Sequence, residues 1–490
     1  MTAKAATGMS LRVGFISLGC PKNLVDSEVM MGTLARAGAT MVADAGEADV
    51  VVVNTCGFID AARAESVEAI LEAAQLKTTG RCRRLVVAGC LVQRAHEELR
   101  REIPEIDAFA GLDDIPRILG IAAPELAAAA APSDPGARAG LLQIAPTGPG
   151  AHAAPAPGGP GTAFHPIAGP ATWLYDHEAP RILSGPAHTA YLKIAEGCDN
   201  PCAFCAIPSF RGAFRSRRLG SILEEAQSLA AQGVRELNLI AQDSTHYGMD
   251  LGFSDGPARL LRALDEIDGL AWIRLFYVYP NRVTDSLLDA IAECPRVVKY
   301  LDMPLQSASR AVLARMKRGG SGESHLRLIE RMRSRIPGLA LRSTYIVGFP
   351  GETEDEFRET LDFLSAASFD HVGAFTYSHE ESTTAYALDD DVPAEAKAER
   401  REALLEVQEA ISTAKNRARV GKTIEVLCEG AHPESDDLLV GRHAGQAPDI
   451  DGTVILNEGE AVRGSFVRAR VVKAHAFDLV ARVVGPAERA

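Results

Sequence analysis

The sequence predicts an α/β protein in three parts: an N-terminal open parallel α/β sheet, a central barrel or partial barrel of six βα units, and a C-terminal five-stranded β-barrel. Three observations predict it. Residues 11–120 alternate β-branched runs with helical patterns, six more strand candidates alternate with helices from Thr189, and after Arg417 the helices stop and short strands follow. At 490 residues the chain has room for about three domains of ordinary size.

In the first part, residues 1–121, the runs RVGFISLG, DVVVVNT and RLVVAG read as strands, with EVMMGTLARAG, AARAESVEAILEAAQ and LVQRAHEELRRE as the helices that return the chain. Residues 122–187 read as a linker: from 145 to 170, 20 of 26 residues are Ala, Pro or Gly, too little apolar surface to offset the entropy of ordering. In residues 188–417 the strand candidates are AYLKIAE, VRELNLIAQ, WIRLFYVYP, KYLDMPLQ, LRSTYIVGF and HVGAFTYS. Reactive groups in such a barrel collect at the C-terminal ends of the strands. In residues 418–490, TIEVLCEG, LLVGRH, GTVILN, SFVRARVVKA and DLVARVV suggest a small OB-like barrel.

Composition excludes several classes. With 47% hydrophobic and 24% charged residues and no apolar run long enough for a bilayer, nothing points to a membrane protein. A net charge of −14 argues against wrapping nucleic acid by bulk electrostatics. The N-terminal run ending at Cys20 contains Arg12 and continues into a strand pattern, unlike a signal peptide, so the chain is expected in the cytoplasm. Nine cysteines are too sparse for a disulfide scaffold; in a reducing compartment they survive as ligands, nucleophiles or core residues.

Cys198, Cys202 and Cys205, in EGCDNPCAFC, follow the first central strand. A closed tetrahedral zinc site wants four ligands, whereas a [4Fe–4S] cube held by three thiolates leaves one iron open. A zinc knuckle or incidental packing competes, weakened by the lack of a fourth Cys or His nearby. Cys20, Cys56 and Cys90 are far apart in sequence, yet each ends a strand candidate: GFISLGC, VVVVNTC and LVVAGC. In a parallel sheet those ends share one edge, which makes a second three-cysteine cluster feasible. Each cysteine alone reads equally well as a small buried residue. Cys82, Cys294 and Cys428 show no such pattern.

With these motifs the chain resembles the radical S-adenosylmethionine (radical SAM) superfamily, whose CxxxCxxC loop holds a [4Fe–4S] cluster open to SAM. The second triad narrows the resemblance to methylthiotransferases of the RimO type. It rests on SLGCPKNLVDSE (17–28), NTCGFI (54–59), EGCDNPCAFCAIPSFRG (196–212), AQDSTHYG (241–248), DMPLQSAS (302–309), STYIVGFPGETEDEF (343–357) and APDIDGTVILN (447–457). The related tRNA-modifying family usually reads GCQMN for GCPKN and GQNVN for AQDST, which favours the protein-modifying branch. TYSHEESTTAY (376–386) departs from the family's usual run.

The resemblance implies two [4Fe–4S] clusters, one on Cys20, Cys56 and Cys90 for sulfur delivery, and one on Cys198, Cys202 and Cys205 for SAM cleavage to a 5′-deoxyadenosyl radical. It implies a radical SAM partial barrel, a C-terminal TRAM barrel, a flavodoxin or ferredoxin as electron donor, and a substrate aspartate in small-subunit ribosomal protein S-twelve, methylthiolated at its β-carbon. A tRNA adenosine methylthiotransferase is the alternative; a non-catalytic iron–sulfur carrier fits less well, since a carrier completes its clusters from protein. Phe204, Gln242, Gln306 and Arg342 are candidates for binding SAM or substrate, against ordinary roles in packing or at a polar barrel rim. Arg211, Arg215, Arg217 and Arg218 read as an anion-holding patch or a solvated face, and His246 and Tyr247 as loop structure. From residue 420 on, eight Lys or Arg face eleven Asp or Glu, so docking of a basic protein is favoured over direct RNA binding.

Overall fold

A computed structural model describes residues 11–130, 167 and 169–487; the rest of the expected linker, 131–166 and 168, lies outside the described residues. The chain divides into two units, Met1–Trp173 with Glu178–Ile182, and Leu174–His177 with Leu183–Ala490.

In the first unit β1 (Arg12–Ser17), β2 (Thr40–Val42), β3 (Val50–Thr55), β4 (Arg84–Gly89) and β5 (Ala108–Ala110) form one sheet in the order β2-β1-β3-β4-β5. All pairings are parallel. The helices α1 (Pro21–Arg36), α2 (Asp60–Thr79) and α3 (Cys90–Glu102) make the return crossings. Every residue of β3 is buried, as its unbroken VVVVNT requires of a central parallel strand covered on both faces.

The expected linker is ordered at both described ends. Ile118–Ala122 and Pro124–Ala130 are short helices. Further on, Arg181 Nη2 and Nε donate to Glu28 Oε2 on α1 at 2.6 and 2.8 Å, and the amide of Ile182 donates to the Glu28 carbonyl at 3.1 Å. In the second unit the Tyr175 ring lies 4.2 Å from the Arg217 guanidinium, and its hydroxyl donates to Glu225 Oε1. Such anchors are single long-range contacts, which composition does not encode.

The second unit begins with β6 (Thr189–Lys193) and a small antiparallel hairpin, β7 (Ala195–Glu196) and β8 (Arg215–Ser216). β9 (Glu236–Ile240), β10 (Trp272–Leu275), β11 (Val297–Asp302), β12 (Ala340–Val347) and β13 (His371–Thr376) then join β6 in a parallel sheet in strict chain order. That is the expected partial barrel. Side chains alternate across it: Leu192, Leu237, Leu239, Ile273, Leu275, Leu301 and Leu341 pack into the apolar core, while Glu236, Asn238, Arg274, Tyr300, Asp302 and Arg342 occupy the other face.

The last five strands, β14 (Thr423–His432), β15 (Ser435–Arg442), β16 (Val454–Glu458), β17 (Phe466–Ala474) and β18 (Leu479–Pro486), close as β14-β15-β16-β18-β17. The loop after β15 closes one end of the polar face. Glu236, fully buried, accepts from Arg274 at 3.1 Å and from Arg442 at 2.6 Å. Arg274 Nη1 also donates to the Ala444 carbonyl, and His371 Nε2 lies 2.8 Å from the Gly445 carbonyl. Asp451 accepts from the Tyr300 hydroxyl at 2.8 Å and pairs with Arg342 at 3.4 Å. The segment from Arg442 to Asp451 thus packs as a polar plug against the sheet.

Candidate functional site

Cys20 precedes the first residue of α1, Cys56 follows β3 directly, and Cys90 is the first residue of α3 directly after β4. As β1, β3 and β4 are neighbours, the structure brings all three thiols to one sheet edge. Gly19 shows how close the loops run. Its φ is +87°, and a Cβ there would stand 2.7 Å from Cys56 Cβ and 3.0 Å from its sulfur.

Asn23, the last residue of GCPKN, ties these loops together. Its Nδ2 donates to the Leu18 carbonyl at 2.7 Å and to the Thr55 carbonyl at 3.2 Å, and its Oδ1 lies 4.0 Å from Cys90 Sγ. One buried amide therefore touches the segments that carry all three cysteines. Asn54 reinforces it by donating to the Asn23 carbonyl and to Ser27 Oγ, each at 2.8 Å. Replacing Asn23 by alanine strands these carbonyls, and it is expected to lower iron retention by this triad roughly 10–100-fold, the usual cost of losing a supporting partner of a metal ligand. Iron content, with Cys198, Cys202 and Cys205 replaced so that only this triad binds, measures it.

The second triad lies in the loop between β7 and β8, beyond the end of β6. The Cys198 amide donates to the Gly212 carbonyl and the Phe214 amide to Asp199 Oδ1. Gly197 has φ +77°, and a Cβ there would fall 2.0 Å from the Ala213 carbonyl oxygen, so this lacing needs glycine. Asn200 Nδ2 donates to Asp243 Oδ2 at 2.9 Å, and Arg282 Nη1 donates to both residues, which links the loop to the segments after β9 and β10. On the other side the Ala203 amide donates to the Met316 carbonyl, and the Ala385 amide to the Ala203 carbonyl, both at 2.8 Å. TYSHEESTTAY thus braces the cysteine loop through Ala385.

Burial pushes the Cys198 thiol up to about 11, with the charges of Asp243 and Cys202 adding to it. Desolvation pushes Cys205 up to about 12, and Cys202 and Cys198 add to it. The neighbouring sulfurs thus oppose the ionisation of Cys198 and Cys205, a conflict that a shared cationic cluster would relieve as it displaced the thiol protons. Among the described residues no three Cys, His, Asp or Glu side chains are placed to hold a single metal ion. A four-iron cube asks something different, because each thiolate takes its own iron. The all-sulfur donor set suits that group.

The other candidates separate. Gln242 Nε2 donates to Glu196 Oε1 at 2.6 Å, and its own Oε1 is buried with no partner. Gln306 holds φ +73°, a left-handed conformation costing about 1–3 kcal/mol in a non-glycine residue, and its Oε1 is likewise buried and unpaired. Phe204 packs beside Ala203, Met316, Phe349 and Tyr377. Arg342 is engaged by Asp302 at 3.1 Å and by Asp451, in the plug.

The basic run does not form one patch. Arg211 is buried against Glu196 at 2.8 Å and Arg217 against Glu225 at 2.6 Å, Arg215 donates to backbone carbonyls, and Arg218 is exposed. His246 stacks on Phe214, and the Tyr247 hydroxyl donates to the Arg217 carbonyl. Sequence reasoning missed Asn23, Asn200, Asp243 and Arg282 as supports. Asn23 and Asn200 stood inside the motifs themselves, and Asp243 in AQDST; Arg282 carried no local signal.

Comparison with known proteins agrees with this architecture. Residues 12–111 match the model described as Uncharacterized protein family UPF0004, residues 192–364 the Radical SAM superfamily, and residues 420–484 the TRAM domain. A protein of Koribacter versatilis (strain Ellin345) named "Ribosomal protein uS12 methylthiotransferase RimO" is 47% identical, over 96% of this chain and 96% of its own. One of the same name from Anaeromyxobacter sp. (strain K) is 49% identical, over 97% and 94%. Among solved structures, the radical S-adenosylmethionine methyltransferase TsrM from Kitasatospora setae, with tryptophan and a SAM analog, aligns with TM-score 0.50 at 16% identity, over 75% of this chain and 73% of that one. That likeness concerns the fold alone.

Proposed function

The chain belongs to the RimO family of ribosomal protein uS12 methylthiotransferases, and on that premise we propose that its two cysteine triads divide one reaction between them. It is a radical SAM enzyme that transfers a methylthio group to uS12, the S-twelve protein of the small subunit. The observation that carries this reading is the presence of two triads, each at the C-terminal edge of its own parallel sheet.

Cys198, Cys202 and Cys205 would hold the cluster that SAM meets, and Cys20, Cys56 and Cys90 would hold the other. When bound, these groups supply one-electron chemistry able to break an unactivated C–H bond, and the sulfur to replace it. The protein's part is to place and shield. The Asn200, Asp243 and Arg282 network and the Ala385 brace fix the second loop. The unpaired amide oxygens of Gln242 and Gln306 accept hydrogen bonds from amino or hydroxyl groups of SAM or substrate. A small one-electron carrier of the flavodoxin or ferredoxin type supplies the electron, in the cytoplasm where ribosomes are made. The reacting carbon is the β-carbon of an aspartate, and the acidic C-terminal barrel favours a basic protein over RNA.

Mass spectrometry of S-twelve from cells with and without this chain tests the substrate. Loss of one methylthio group from an aspartate on deletion is the expected result. Unchanged S-twelve, with a methylthio group missing from tRNA instead, would reverse the assignment.

A further inference from the structure

Arg318, in MKRGG just beyond helix Arg310–Arg315, reaches the second cysteine loop. Its Nη1 donates to Cys202 Sγ at 3.3 Å, and its Nη2 donates to the Pro304 carbonyl at 2.8 Å. The guanidinium lies 4.4 Å from the centre of the Tyr279 ring, and the residue is 9% exposed. We propose that Arg318 sets the reduction potential of the cluster on Cys198, Cys202 and Cys205, a role that rests on the cluster assignment above.

One electron from an external carrier adds one negative charge to the cluster, with no bond made or broken at Arg318. A fixed cation donating an N–H to a ligating sulfur stabilises the more negative state more than the oxidised one, and so raises the potential. Three features make Arg318 suited to this. Its charge is constant, because guanidinium does not deprotonate in proteins. Burial keeps the interaction from being screened. The Pro304 carbonyl and the Tyr279 face hold the fork in place, so the donor cannot swing into water. Asp243, the carboxylate of the loop network, is paired with Arg282 at 2.6 Å, and Arg318 makes no ion pair with a carboxylate among the described residues.

The test uses the full chain with Cys20→Ala, Cys56→Ala and Cys90→Ala, so that one cluster gives the signal, and follows the reduced cluster by EPR during a potentiometric titration. Arg318→Met is expected to lower the ratio of reduced to oxidised cluster about tenfold at a given poise, equivalent to about 59 mV for one electron. Arg318→Gln, which keeps an N–H donor without the charge, is expected to fall between. If Arg318→Met fails to retain iron, Arg318→Gln decides alone: a lower potential supports the role and an unmoved one overturns it. An intact signal at an unmoved potential in both variants overturns the role of Arg318 only. A triple-alanine parent that takes up no cluster would overturn the cluster assignment, and this proposal with it.

Discussion

Replacing Cys198, Cys202 or Cys205 by alanine is expected to abolish formation of 5′-deoxyadenosine, whereas replacing Cys20, Cys56 or Cys90 is expected to spare it and to stop methylthiolation of S-twelve. The loss in each case should exceed the roughly 10–100-fold that removal of a supporting partner costs, because a ligand itself is gone. The two outcomes differ because the triads sit on different sheets and are held by separate networks, Asn23 for one and Asn200 with Asp243 for the other. Anaerobic assays of 5′-deoxyadenosine and of modified peptide, run on the same six variants, read both. Methylthiolated product from any of the Cys20, Cys56 or Cys90 variants would end the division of labour.

The second large effect is on stability. Glu236→Ala leaves Arg274 and Arg442 buried without their shared carboxylate, and removing one member of a buried ion pair costs about 3–5 kcal/mol. Urea unfolding of the apoprotein should show that loss. The same carboxylate makes stability depend on pH in one direction. Burial alone would raise Glu236, but Arg442 and Arg274 outweigh it and bring it down to about 2, against 4.5 for an ordinary glutamate. Because the folded value is the lower one, the unfolded chain takes up a proton first as pH falls. The contribution is whole above about 4.5 and disappears as pH drops from there through 2. In Glu236→Gln that stretch of the stability curve should flatten. An unchanged slope would mean that the ion pairs do not govern it.

How much of this was legible in the sequence depended on the range of the interaction. The longer strands of all three parts and the two cysteine triads came from local patterns: the valine run of β3, the short spacing of Cys198, Cys202 and Cys205, and the repeated strand-then-cysteine placement. The short β2, β5, β7 and β8 and the sheet order β2-β1-β3-β4-β5 carried no such signal. The barrel's polar face was hidden in VRELNLIAQ, where Glu236 gave no sign of partners as distant as Arg274 and Arg442. Arg211 and Arg217 looked like neighbours in one basic patch because their carboxylate partners, Glu196 and Glu225, lie elsewhere in the sequence. Arg342 looked like a candidate for SAM or substrate, since nothing nearby announced Asp451. The segment 376–386 looked like a local oddity until Ala385 was seen to hold Ala203.

The polar plug bears on the order in which the chain is made. The sixth barrel strand ends at Thr376, yet the second cation for Glu236 is Arg442, 66 residues later. At about 5–20 residues per second, translation leaves a gap of roughly 3–13 s. Throughout it the nascent sheet has Glu236 and Arg274, but neither Arg442 nor Asp451 to seal that end. A message truncated at residue 417 would make that interval permanent, releasing a chain that keeps both cysteine triads but lacks what seals that end of its sheet.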